Sequence, residues 1–269
     1  MRTDFSLSSF AKSFAAPGPS QAGSGGSSRR FRKTGIRFEE RVKQLLPAAF
    51  YYPRKIAKEA RKHEPELAGL HEIVPAARVA VDVGANRGYY SYALSKIAGR
   101  VEAFEPNPDL AHFAAGKLPP NVRLHQVALS DRQGRGTLYI PRTERATSLH
   151  LLASLGRVHQ AAHEDEVEVP LATLDSYRYG DVGFIKIDAE GSEMDIVEGA
   201  SETISRCRPI MLIELLAGTY TDPLAHIADV QRRFRYEARI RVGERYLGVS
   251  QALETGANLM TRNVLFLPG

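Results

Sequence analysis

The chain has 269 residues, 43% apolar and 25% charged, which is enough for one good-sized globular domain with extensions. No apolar run approaches the ~18 residues of a membrane helix, and "SSFAKSFAAPGPS" lacks the continuous apolar centre of a signal peptide. One cysteine, Cys207, excludes an internal disulfide framework and a cysteine-rich zinc site and points to a reducing cytoplasm. The net charge is +5 and the pI 9.3, yet residues 1–33 alone carry +5. The excess therefore sits in a tail rather than on a nucleic-acid groove, and no nucleic-acid partner is expected.

That tail, residues 1–34, is rich in glycine, serine and proline and is expected to be disordered. Residues 35–75 form an N-terminal helical extension. Their apolar residues recur at three- and four-residue spacing, with interruptions at Pro47, Pro53 and Pro65, so two or three short helices are expected. Residues 76–269 form the main domain. Short apolar runs, "RVAVDV", "RVEAFE", "VRLHQVAL", "GFIKIDA" and "PIMLIEL", alternate with helical stretches, which predicts an α/β fold with a mostly parallel sheet and helices on both faces. Asn107 is a good N-cap and Pro108 suits a first helical position. "GTLYIPR" and "DEVEVPLATL" read as an inserted hairpin or edge strands. "RFRYEARI", "RYLGV" and "NVLFLPG" read as antiparallel strands closing the sheet.

The turn "VDVGANRGYYS", residues 81–91, joins a strand to a helix and so presents N–H groups to a ligand. A dinucleotide fold would place glycines at 84, 86 and 89, but Asn86 and Tyr89 stand there, which disfavours a pyrophosphate and a nicotinamide dehydrogenase. The remaining D-x-G-x-x-x-G runs from Asp82 through Gly84 to Gly88. Its glycines let the backbone pass close to a ligand, and Asp82 can face a cation. A ligand with an ammonium, a carboxylate and no phosphate suits it, and S-adenosylmethionine is one. Glu105 ends the second strand about twenty residues on, where an acid accepts from ribose hydroxyls. Ser130 or Asp131, ending the third strand, can meet an adenine edge. Either also serves as an ordinary turn starter before Gly134.

Later in the chain, "FIKIDAEGSEMDIVEGA" places Lys186 and Asp188 on one side of a strand expected to be buried on both faces, where charges need partners. Glu190 and Glu193 follow at a helix entry, Glu193 reading best as a plain dipole-stabilised acid. Glu214 lies inside the next apolar run. Asp82, Glu105, Asp188 and Glu214 all project at the carboxyl ends of the strands, where open α/β sheets bind ligands. A satisfied internal network pinning two strands is the plainer reading of Lys186, Asp188 and Glu214. Hard oxygen ligands also suit Mg²⁺, though no spacing here compels a metal. His125, His150, His159 and His163 are scattered and read as structural or solvated.

Taken in order, "VDVGANRGYYS", "FEPNP", "VALSD..G", "FIKIDAEGSE...EGA" and "NVLFLP" resemble the FkbM family of S-adenosylmethionine-dependent methyltransferases, from about residue 76 to 269. The resemblance implies a seven-stranded class I (Rossmann-like) fold with an antiparallel last strand, and methyl transfer to a hydroxyl of a natural product or surface glycan. It implies that Asp82, Gly84, Ala85, Asn86, Gly88 and Tyr89 surround the methionine end of the cofactor, with Glu105 at the ribose and Asp131, beside Ser130, near the adenine. It places Asp188 and Glu190 at the reaction centre. Asp188 or Glu190 is then the candidate base, Glu214 the second choice, and Lys186 orients the carboxylate or lowers the hydroxyl's pKa. "DAEG" stands where amine methyltransferases often carry an Asn/Asp-Pro-Pro-aromatic stretch, which favours oxygen. An RNA methyltransferase and a non-catalytic cofactor-binding module are the rivals. The acceptor's identity and the oligomeric state are not legible.

Overall fold

In the computed structural model of the chain, which describes residues 46–141, 153–155, 164–215, 220–256 and 263–269, the alternating apolar runs become strands of a twisted sheet. In chain order the strands are β1 Val79–Val83, β2 Arg100–Phe104, β3 Val122–His125, β4 Ala128–Leu129, β5 Gly134–Pro141, β6 Glu164–Ala172, β7 Val182–Ile187, β8 Ile210–Glu214, β9 Tyr236–Val242, β10 Arg245–Gly248 and β11 Asn263–Pro268. Eight of them form the main sheet, in the order β3-β2-β1-β7-β8-β11-β9-β10. From β3 to β8 every pair is parallel. β11 runs antiparallel to both β8 and β9. The expected seven strands with an antiparallel final strand are thus present. An eighth, β10, is added at the edge because the two-residue Gly243-Glu244 turn folds the chain back on β9. This is the α/β class I fold.

The run "VRLHQVAL" does not stay in one strand. β3 joins the main sheet, whereas β4 leaves it to pair with β6 in a separate three-stranded sheet, β4-β6-β5. β5 and β6 are the expected antiparallel pair, in register from Gly134 opposite Leu171 to Pro141 opposite Glu164.

The helices are α1 Ala48–Lys62, α2 Glu66–Ile73, α3 Tyr89–Leu94, α4 Pro108–Ala115, α5 Glu193–Glu198, α6 Ser201–Cys207, α7 Pro223–Phe234 and α8 Val249–Glu254. Pro47 and Pro65, two of the three expected interruptions, stand at the N-cap positions of α1 and α2, but Pro53 lies inside α1 and does not end it. As the sixth residue of α1 it lies past the first turn, so it removes the N–H that would reach the Ala49 carbonyl and its ring crowds that carbonyl. Tyr51 and Tyr52 offset that loss by packing α1 against Tyr89, Tyr92, Phe113 and Leu118. Asn107 caps α4 by accepting the Asp109 N–H, with Pro108 first in the helix. The tail and residues 35–45 lie outside the described residues, as do His150, His159 and His163.

Two-residue alternation divides the sheet. Val81, Ile185, Met211 and Ile213 face α5, α6 and α7. Ala80, Phe184, Leu212 and Leu265 face α2 and α3. By the same alternation Asp82, Lys186, Glu214 and Asn263 belong to the second face, under the N-terminal helices. All six residues of β7 are buried, so its charged residue must be neutralised from within.

Candidate active site

β1 leads directly into the glycine turn. Gly84 (φ +76°) and Gly88 (φ +80°) are left-handed, and Asn86 adopts φ +52°. The room the two glycines leave is taken up by the protein itself. A Cβ on Gly84 would lie 1.7 Å from the Asp188 carbonyl oxygen, and one on Gly88 2.9 Å from Leu118 and 3.0 Å from the Tyr52 hydroxyl. The turn's N–H groups are also engaged. Gly84 and Ala85 both donate to the Phe104 carbonyl at 3.0 Å, and Gly88 to that of Ala85 at 2.7 Å. Anion capture by the N–H groups of Gly84, Ala85 and Gly88 is therefore not what this turn offers.

Glu105 is buried at 5% exposure and accepts the Asn86 N–H on Oε2 (2.7 Å) and the Asn107 N–H on Oε1 (2.8 Å). Burial pushes its pKa up to about 7, against these two hydrogen bonds. Each carboxylate oxygen retains a second acceptor site, so vicinal hydroxyls can still be held. Asn86 Oδ1 is buried with no hydrogen-bond partner. An orphan acceptor of this kind fits an ammonium group. Asp82 does not present itself to a free cation. It accepts the Ser91 hydroxyl at 2.5 Å and lies opposite Lys186 in the strand register. Burial raises it to about 6, with Ser91 and Lys186 pulling the other way. The Tyr89 ring turns to α1, its hydroxyl 3.2 Å from that of Tyr51. Ser130 is buried and donates to Asp131, whose half-exposed carboxylate also takes Arg132 at 3.0 Å.

The acidic stretch closes over the other side of the turn. Lys186 is 0% exposed; its Nζ donates to Asn263 Oδ1 at 2.9 Å, lies 3.4 Å from Asp188 Oδ2 and sits over the Tyr90 ring at 5.1 Å. Asn263 Nδ2 in turn donates to Glu64 at 3.0 Å and Glu66 at 3.3 Å, and Tyr90 donates to Glu64 at 2.9 Å. The internal network weighed from the sequence exists, and it extends into the N-terminal helices. It does not consume the whole cluster, because the Asp188 side chain keeps 26% exposure.

Burial favours a neutral lysine, yet Asp188, Glu64, Glu214 and Asp82 together hold Lys186 above its ordinary range. Burial also works to raise Asp188, but Lys186 and a hydrogen bond from Glu214 outweigh it and keep that carboxyl low. Glu214 carries the proton of the pair, pushed up to about 10 by burial and by Asp188. Glu190, in a left-handed conformation (φ +49°), is raised to about 8 by burial, Asp188 and Glu193. Carboxylate oxygens of Asp188, Glu190 and Glu214 lie within 4.8 Å of one another, the three groups among the described residues that can hold a hard cation.

Glu193 is more than a plain helix-end acid. It is buried, accepts the Ala189 N–H at 2.9 Å and the Gly191 N–H at 3.1 Å, and takes the Tyr220 hydroxyl at 2.5 Å. It therefore fixes the loop that carries Glu190 and ties it to the segment after β8. His125 is structural, as expected: it bonds Glu102 at 2.7 Å and stacks on Phe104. Glu64, Glu66, Tyr90, Asn263 and Tyr220 had not been expected at the site. Only a polar residue opening the apolar run "NVLFLP" hinted at Asn263.

A family model described as the methyltransferase FkbM domain matches residues 82–237, more than half of the chain. A search of curated proteins finds no match. Among solved structures, a methyltransferase FkbM from Methylobacillus flagellatus aligns at 15% identity and TM-score 0.45, covering 87% of this chain; this chain spans 59% of the length of that one. A Streptococcus mutans protein assigned as a methyltransferase, in complex with SAH, aligns at 12% identity and TM-score 0.42, covering 76% of this chain and 95% of that one. An rRNA methylase from Streptococcus thermophilus aligns at 11% identity and TM-score 0.41, covering 76% and 92%.

Proposed function

The chain belongs to the methyltransferase FkbM domain family, and from that premise we propose that it is an S-adenosylmethionine-dependent O-methyltransferase whose acceptor is a hydroxyl of a sugar, glycan or natural product. The observation that carries this reading is the direct contact between the two halves of the site. The glycine turn packs against the Asp188 backbone so closely that only Gly84 fits, so a nucleoside held at the turn would have the acid cluster immediately beside it.

The orphaned Asn86 Oδ1 and the buried Glu105 suit the ammonium and the ribose of the cofactor, with Ser130 and Asp131 at the adenine end. When bound, S-adenosylmethionine supplies an already activated methyl group. The chain's own work is then alignment of the acceptor oxygen and removal of its proton. The ionisation states divide those tasks. Asp188, held anionic by Lys186 and by the protonated Glu214, accepts the hydroxyl and orients it. Glu190, whose pKa of about 8 lies nearest neutrality of the three clustered acids, is the group matched to taking the proton. Lys186 is fully enclosed behind Asp188 and acts through it rather than on the acceptor. Carboxylates at the reacting end oppose a phosphate-rich acceptor, which weighs against RNA. The single cysteine supports a cytoplasmic setting.

Titration calorimetry with S-adenosylmethionine and S-adenosylhomocysteine tests the cofactor, and an intact-mass screen of oligosaccharides and polyketides tests the acceptor. No heat with either nucleoside, alongside tight binding of a dinucleotide, would overturn the reading.

A further inference from the structure

We propose that the outward face of α1 is a docking surface for an anionic lipid bilayer. α1 has two distinct sides. Tyr51 and Tyr52 are buried and Ile56 packs beside them against the domain. Phe50, Arg54, Ala57 and Arg61 form an exposed stripe at helical spacing, with the exposed Lys58 and Lys62 along its edge. Among the described residues, Arg54, Lys58, Arg61 and Lys62 form no ion pair. Phe50 is 67% exposed and Leu46 44%, and both stand at the start of this helix. The Lys117 ammonium donates to the Leu46 carbonyl at 2.7 Å, which fixes that start to the domain while leaving the leucine side chain outside.

Charge selects the partner. Residues 46–62 hold five basic residues and one acidic one, whereas residues 63–269 hold twenty-two basic and twenty-seven acidic. The positive end therefore draws an anionic surface while the body is repelled by it. A nucleic acid would need only the cations. A bilayer takes both features at once, lipid headgroups at Arg54, Lys58 and Arg61 and the interfacial layer at Phe50 and Leu46. The inference stands apart from the methyl-transfer reading.

The test is flotation of the full-length protein with phosphatidylcholine vesicles and with mixed phosphatidylcholine–phosphatidylglycerol vesicles. The wild-type chain should float with the mixed vesicles only. Arg54→Gln/Lys58→Gln/Arg61→Gln should weaken binding about a hundredfold, roughly fivefold for each cation removed. Phe50→Ser should weaken it about tenfold and keep that effect at high salt, where the charge term is screened. All these side chains are exposed, so unchanged melting temperatures are expected and would show that the fold is intact. Failure of the wild type to float would overturn the proposal. So would variants that float like the wild type, since the segment before α1 would then suffice. Displacement of the protein from vesicles by a short single-stranded RNA at lower concentration would do the same.

Discussion

Lys186→Met is the sharpest probe of the electrostatic argument. Methionine keeps most of the apolar stem of lysine and removes the ammonium, both its charge and its N–H donors. In the wild-type chain the ammonium is fully enclosed, bonded to Asn263 and paired with Asp188, with Asp82, Glu64 and Glu214 around it. Without it, Asn263 Oδ1 loses its donor and the Asp188 carboxylate keeps only Glu214 as a counterweight. Breaking a buried pair by removing one partner costs about 3–5 kcal/mol. At ~2–4 °C per kcal/mol for a domain of this size, the melting temperature should fall by ~6–20 °C.

The pH dependence has a definite sign. Asp188 is held below its ordinary value, so the stability it contributes is present above the unfolded pKa and is lost as the pH falls through the folded one. Lys186 is held above its ordinary value, so its contribution is full at neutral pH and is lost only in strong alkali. In the variant Lys186 no longer holds Asp188 low, so the carboxyl takes up a proton at a higher pH than in the wild type, and the deficit should be larger at about pH 8 than at about pH 4. Urea denaturation followed by circular dichroism at both values measures it. Equal deficits at the two pH values, or none, would refute the account of a charge-compensated pair. The double variant Lys186→Met/Asp188→Leu should recover part of the loss, because it removes both charges rather than stranding one.

Three further outcomes are expected. Asp188→Asn and Glu190→Gln should each retain S-adenosylhomocysteine binding by calorimetry and lose about 10²–10⁴-fold in turnover once an acceptor is in hand; wild-type turnover in both would remove the acid cluster from the chemistry. Nucleoside affinity should fall by up to about tenfold per unit below pH 7, as Glu105 protonates and gives up acceptor capacity, and Glu105→Gln should flatten that dependence. Gly84→Ala should cost at least ~2 kcal/mol in urea denaturation, since its Cβ meets the Asp188 carbonyl and its backbone is left-handed; a variant as stable as wild type would show that the turn can move away from β7.

Local patterns carried most of the fold. β1, β2, β7 and β8 are each a short apolar run with turn chemistry on both sides, and Asn107-Pro108 marks a helix start that forms as read. Expectation and structure part where packing decides. "VRLHQVAL" is one run by hydropathy, yet β4 is drawn into a second sheet by β6. Pro53 reads as a break, yet the buried tyrosines beside it keep α1 continuous. The Glu64–Asn263–Lys186 chain was invisible because it joins residues 199 and 77 positions apart, and only the placement of β11 beside β8 brings them together.

The roles of the acids were harder to read than their positions. Asp188, Glu190 and Glu214 are three carboxyls at the ends of neighbouring elements, and the sequence gives no reason to rank them as proton acceptors. Their surroundings separate them. Lys186 pins Asp188 low, burial and the neighbouring Asp188 send Glu214 to about 10, and burial with Asp188 and Glu193 leaves Glu190 near 8. The lysine that sets this order is itself held by Asn263 and by carboxylates of the N-terminal segment, so the ionisation of the acid cluster depends on residues outside the family-matched span of 82–237. The segment before β1 is therefore part of the electrostatics of the acid cluster: while Asn263 and Glu64 stay in contact Lys186 faces Asp188, and loosening that contact should unsettle the charge on Asp188 before it disturbs the glycine turn.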